Sequence, residues 1–119
     1  MRFVVVDDLP FMRQAIRDAL ESAGIECAGE GADGLEALRL YESLRPDVVV
    51  LDISMPRMDG ITALARLMRR DPGARVVMCS ALDEERLIVR AIQLGARDFV
   101  VKPFRRERVV NAVRKAASR

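Results

Sequence analysis

Histidine and tryptophan are absent from this sequence of 119 residues, tyrosine occurs once and cysteine twice. Cys27 and Cys79 lie far apart, outside any C-x-x-C spacing, and no imidazole is present to complete a zinc site, so both are expected to be buried free thiols. No apolar run approaches the ~20 residues that span a bilayer. The N-terminus, "MRFVVVDD", turns acidic after five residues and offers no signal-peptide core. A cytoplasmic protein without membrane insertion is predicted. Lysine is also scarce: Lys102 and Lys115 are the only two among 20 basic residues.

Net charge is +2 but unevenly spread, with eight Lys/Arg against two acids in residues 97–119. A basic end of this kind can meet nucleic acid. Here, however, no aromatic platform, helix-turn-helix or single-sign stretch accompanies it. Cations favouring the C-terminus of a final helix account for the pattern, and no direct nucleic-acid binding is expected.

Half the residues are hydrophobic, enough for one domain with a real core over residues 1–119 and too few for two. Five apolar runs, "RFVVV", "IECAGE", "VVVLD", "RVVMCS" and "DFVVK", alternate with five helical patterns. The helical stripes are Met12, Ile16, Ala19, Leu20 and Ala23; Leu35 and Leu38; Ile61 and Leu64; Leu87, Ala91 and Ile92; and Val109, Val113 and Ala116. Each stripe is expected in the core. Continuous runs such as "VVVL" fit parallel strands covered on both faces. The prediction is a doubly wound α/β (βα)5 three-layer sandwich with the flavodoxin-like strand order 2-1-3-4-5.

In such sheets ligands bind beyond the carboxyl ends of the strands. Those ends carry Asp7 and Asp8, Asp52, Ser80 and Lys102. Three converging carboxylates repel unless a cation joins them. All-oxygen ligands suit a hard ion, and a site with few protein ligands suits Mg²⁺, which keeps several waters and shares a phosphate. A lysine and a hydroxyl then have a phosphoryl group as their common target. Asp52, on the central strand, is the candidate nucleophile, and Ser80 would hold a phosphoryl oxygen. Each residue alone has a plainer reading: Asp7 and Asp8 as caps of the first helix ahead of Pro10, Asp52 and Ser80 as turn residues, Lys102 as a solvated strand end. A compact ammonium in a chain that otherwise uses arginine favours the functional reading of Lys102.

"VVVDD", "VVVLDISMPRMDG", "VVMCSA" and "GARDFVVKPF" resemble, in order and across nearly the whole chain, the four signatures of bacterial response-regulator receiver domains. The resemblance is closest to the single-domain chemotaxis regulators of that family. It implies that Asp52 accepts a phosphoryl group from a histidine kinase, a phosphotransfer protein or a small phosphodonor. It also implies that Asp7, Asp8, Asp52 and the Ser54 carbonyl hold Mg²⁺, with Mn²⁺ able to substitute, and that Ser80 and Lys102 bind phosphoryl oxygens. Further implications are a cis bond between Lys102 and Pro103, and a switch formed by Ser80 and Phe99. A target protein would dock on the fourth helix, fifth strand and fifth helix, near Val89, Arg86, Arg90, Arg97 and Arg108. Phe11 lies off the apolar stripe of the first helix and, if exposed beside the acidic pair, offers a dock for the kinase. Such a protein catalyses only its own phosphorylation and dephosphorylation, carries no output domain, and is a monomer or, once phosphorylated, a weak dimer. Positions Ser54 and Leu82 tune phosphoryl lifetime in the family; neither carries an amide or an acid here, which implies slow self-reset.

Three alternatives remain at this stage. The chain could be a receiver excised from a longer DNA-binding or effector regulator. A haloacid-dehalogenase-type phosphatase needs a second acid two residues after its nucleophile, where Ser54 stands. A flavodoxin needs a Ser/Thr/Gly-rich phosphate loop, where "DDLPF" repels phosphate.

Overall fold

Valine restricts χ1 and packs well on a pleated surface, and the strands are valine-rich runs, the edge strand "ECAGEG" being the exception. The computed structural model describes residues 1–118. It places β1 at Arg2–Val6, β2 at Glu26–Gly31, β3 at Val48–Asp52, β4 at Val76–Ser80 and β5 at Asp98–Val101. Between and after them run α1 (Pro10–Ser22), α2 (Gly34–Leu44), α3 (Gly60–Arg70), α4 (Glu85–Leu94) and α5 (Arg106–Ala117). All strand pairings are parallel and the order is β2-β1-β3-β4-β5. This is the flavodoxin-like architecture expected from the sequence.

Alternation along each strand sends side chains to opposite faces and divides the core in two. Phe3 and Val5 of β1, with Val48, Val50 and Val77, pack under Ile16 and Leu20 of α1 and Val109 and Val113 of α5. Val4, Val6, Val49, Leu51 and Met78 point the other way, against Leu38 of α2 and Leu64 and Leu67 of α3. Both faces are apolar, so the strand runs are continuous rather than alternating.

Three expectations about burial need correction. Cys27 is half-buried rather than buried, because it lies on the edge strand β2; Cys79 on β4 is buried. Leu35 is 42% exposed, since only Gly34, Ala37 and Leu38 of α2 are buried. In α4 only Ala91 is buried, while Leu87 and Ile92 are 39% and 44% exposed. The apolar face of α4 opens partly onto a groove of about 570 Å³ lined by Ile88, Val89, Ile92, Phe99 and Val101 instead of closing on the sheet.

Helix starts also bear on the site. Asp33 caps α2 by accepting from Glu36 N at 2.9 Å, and Asp59 caps α3 by accepting from Thr62 N at 2.8 Å. The cap of α1 is Leu9, without a side-chain bond and with Pro10 at the first position. Asp7 and Asp8 are therefore not the caps of α1, and their carboxylates are left for another purpose.

Candidate functional site

Strand register builds the site. Val6 pairs with Leu51, Asp52 with Cys79, and Ser80 with Val101. One residue further along β1 and β5 stand Asp7 and Lys102, so four adjacent strands deliver polar groups to one rim. Lys102 N donates to Ser80 O at 2.8 Å, holding the ends of β4 and β5 level. The Lys102–Pro103 peptide bond is cis.

At this rim Lys102 Nζ donates to Asp7 Oδ2 at 2.9 Å and to Asp52 Oδ1 at 3.0 Å. The ammonium thus bridges two carboxylates that would otherwise repel. Asp7 is further fixed by Leu9 N, which donates to Oδ1 at 2.9 Å, and by Arg13, whose guanidinium donates to the Asp7 carbonyl at 2.6 Å. Asp7 and Asp52 are buried and Asp8 is half-buried. One carboxylate oxygen from each of these three lies within 4.8 Å of the others. One ammonium among three carboxylates leaves excess negative charge, and the donor set is entirely oxygen. Such a set fits a hard divalent cation of the Mg²⁺ kind.

The electrostatics follow from burial. Desolvation, and then the neighbouring charge of Asp7, push the Asp52 carboxyl up to about 6 against the pull of Lys102. Burial works against the Lys102 ammonium too, but its bonds to Asp7 and Asp52 outweigh that and hold it above the ordinary lysine value. Burial pushes the neighbouring Cys79 thiol up to about 12, which keeps it inert.

Ser80 is fully buried and its Oγ has no hydrogen-bond partner. Neither a turn role nor a capping role explains this hydroxyl, since α4 begins at Glu85 with Glu84 as its cap. A buried polar atom left unpaired costs about 1–3 kcal/mol and marks a place where a ligand atom is expected. Phe99 is half-buried between two grooves, one under α4 and one of about 540 Å³ beside Phe104 and Arg108. Leu82 is 73% exposed and Ser54 is exposed. Phe11 stands 68% exposed at the start of α1. Val89, Arg86, Arg90 and Arg108 are exposed. Arg97 is half-buried and donates to Ala116 O, and Arg108 donates to Phe99 O and Asp98.

The sequence did not single out three features near the site. Gly60, the first residue of α3, is constrained by proximity, because a Cβ there would stand 1.9 Å from the Asp52 carbonyl oxygen. Arg57, at φ +64°, donates through Nε to Asp33 Oδ2 at 2.5 Å and ties the β3–α3 loop to the start of α2. Glu84 reaches across from the β4–α4 loop to the Ser54 hydroxyl. An acid four residues after a strand-end serine is the one available signal for it; the contact itself spans 30 residues and has no local signature.

A five-stranded doubly wound sheet with an acidic triad, an orphaned hydroxyl and a lysine at its carboxyl rim defines a class. The chain belongs to the response regulator receiver domain family, whose pattern matches residues 3–114. Among its relatives, it is 46% identical over 117 residues to the chemotaxis protein CheY of Listeria monocytogenes, covering 98% of each chain. It is 51% identical over 112 residues to protein CcdB of Bacillus subtilis, covering 94% of this chain and 93% of that one. The structure also superposes on a chain of the CheX–CheY–BeF3–Mg²⁺ complex of Borrelia burgdorferi with a TM-score of 0.90. That pair is 39% identical over 95% of this chain and 86% of the other. Among the described residues no helix is long and apolar enough to cross a membrane.

Proposed function

We propose that this receiver accepts a phosphoryl group on Asp52 from a histidine kinase or phosphotransfer protein in a Mg²⁺-dependent reaction, and acts as a chemotaxis-type signalling protein. The observation that carries this reading is the buried, unpartnered Ser80 Oγ beside a carboxylate already engaged by Lys102. Asp52 attacks phosphorus; an Oδ–P bond forms as the P–N bond to the donor imidazole breaks, and the electron pair stays on nitrogen. With acetyl phosphate the P–O bond breaks and acetate leaves. Lys102, held by Asp7 and Asp52, turns its one remaining N–H donor to a phosphoryl oxygen, and Ser80 supplies another donor. Mg²⁺ held by Asp7, Asp8, Asp52 and the Ser54 carbonyl would supply positive charge to the transferring group; Mn²⁺ would substitute.

In this reading Ser80 turns towards the phosphoryl group and Phe99 follows it inward, reshaping the groove under α4 where a target docks together with β5 and α5. The two grooves flanking Phe99 support that assignment. Exposed Phe11, at the start of α1 just after Asp7 and Asp8, supports kinase docking there. The protein works as a monomer or as a weak dimer once phosphorylated. The test is intact-mass measurement after acetyl phosphate and Mg²⁺. The parent gains one phosphoryl group and Asp52→Asn does not; equal gain by both overturns the reading.

A further inference from the structure

The Glu84 carboxylate joins two loops at the mouth of the rim. Its Oε1 accepts from Ala81 N at 2.6 Å and its Oε2 accepts from Ser54 Oγ at 2.5 Å. Ala81 N is the backbone donor immediately after Ser80, and Ser54 is two residues beyond Asp52. Among the described residues Glu84 has no salt-bridge partner, and both of its side-chain bonds are accepted from neutral donors.

We propose that Glu84 is a clamp on the acceptor site: its carboxylate occupies the donors flanking Asp52 and Ser80, and must leave before a phosphoryl group can be held there. This inference rests on the phosphoacceptor reading above. A phosphoryl group on Asp52 brings about two negative charges and strong acceptor oxygens. It competes with Glu84 for the Ala81 N–H and repels it. Release of Glu84 also frees Ser54 Oγ and parts the β3–α3 loop from the β4–α4 loop. Acceptance of phosphate is thus opposed in the resting protein by a residue of the chain itself, and the loop ahead of α4 moves when acceptance succeeds. Slow self-reset was expected because Ser54 and Leu82 lack an amide or acid; the Ser54 hydroxyl is itself engaged by Glu84.

The test measures phosphorylation rate with acetyl phosphate and Mg²⁺ by intact mass, and half-saturation by BeF3⁻ through ¹⁹F NMR, in the parent, Glu84→Ala and Glu84→Gln. Loss of a hydrogen-bonded competitor predicts phosphorylation faster, and BeF3⁻ binding tighter, by roughly two- to tenfold in Glu84→Ala. Glu84→Gln, which keeps an acceptor for Ala81 N and so preserves the Ala81–Glu84 turn ahead of α4, moves the same way by less. A role confined to holding the turn ahead of α4 predicts the reverse, a weaker site in a less stable protein. If the parent responds to BeF3⁻ and neither variant exceeds it, the clamp is overturned alone; if the parent itself does not respond, the phosphoacceptor reading falls with it.

Discussion

At the scale of single residues, the rim spends stability to keep charge in place, and Asp52 shows the sign. Its folded-state pKa of about 6 lies above the ~3.9 of an unfolded aspartate. The native state therefore binds more protons than the unfolded chain between those values, and the contribution of this group to stability falls as pH rises from about 4 to about 6. Asp33, whose carboxyl is held low first by Glu36 N and also by Arg57, behaves oppositely: its contribution is present above the unfolded value and lost as acid protonates it. Metal-free Asp52→Asn is accordingly expected to be more stable than the parent at neutral pH by about 1–2 kcal/mol, discounted for the open rim, with the gain vanishing near pH ~4. Urea melts at the two pH values check this. An Asn variant that is less stable at neutral pH would mean that Lys102 more than compensates for burial.

At the scale of elements, α3 and α4 look alike in sequence and differ in the structure. Both carry an apolar stripe at helical spacing, but Leu64 is fully buried against the sheet while Leu87 is partly exposed. Leu64→Ala should cost about 2–5 kcal/mol, as buried leucines do. Leu87→Ala should cost under ~1 kcal/mol, as a partly exposed position does. Equal losses in urea midpoint would show that α4 is packed as tightly as α3. The same comparison shows how far the sequence is legible. Continuous runs such as "VVVLD" could only be strands covered twice, and their terminal residues located Asp7, Asp52, Ser80 and Lys102 because parallel register aligns strand ends. A periodic stripe reveals which face of a helix is apolar, but not whether protein or solvent covers it, so α2 and α4 were read as more buried than they are. The bonds of Glu84 to Ser54 and of Arg57 to Asp33 were invisible because they join separate loops, where no spacing rule operates. Gly60 was visible as a glycine; its contact with the Asp52 carbonyl was not.

At the scale of the whole molecule, the charge concentrated at one end of the sheet makes metal binding a term in global stability. Any ion that binds the native rim and not the unfolded chain stabilises the fold by mass action, by about 2.7 kcal/mol at 100 times Kd. For a domain of this size that corresponds to a rise in Tm on the order of 10 °C. Asp8 separates metal binding from folding best, because it is half-buried, whereas the ammonium of Lys102 holds Asp7 and Asp52. Asp8→Ala should therefore fold without metal at least as stably as the parent, since one of three mutually repelling carboxylates is removed. It should lose most of the Mg²⁺-dependent rise, because a site with few protein ligands cannot spare one. Calorimetric scans with and without Mg²⁺ read both quantities in one experiment. An undiminished rise in Asp8→Ala would place the ion elsewhere; a variant that melts lower without metal would make Asp8 part of the fold rather than part of the site.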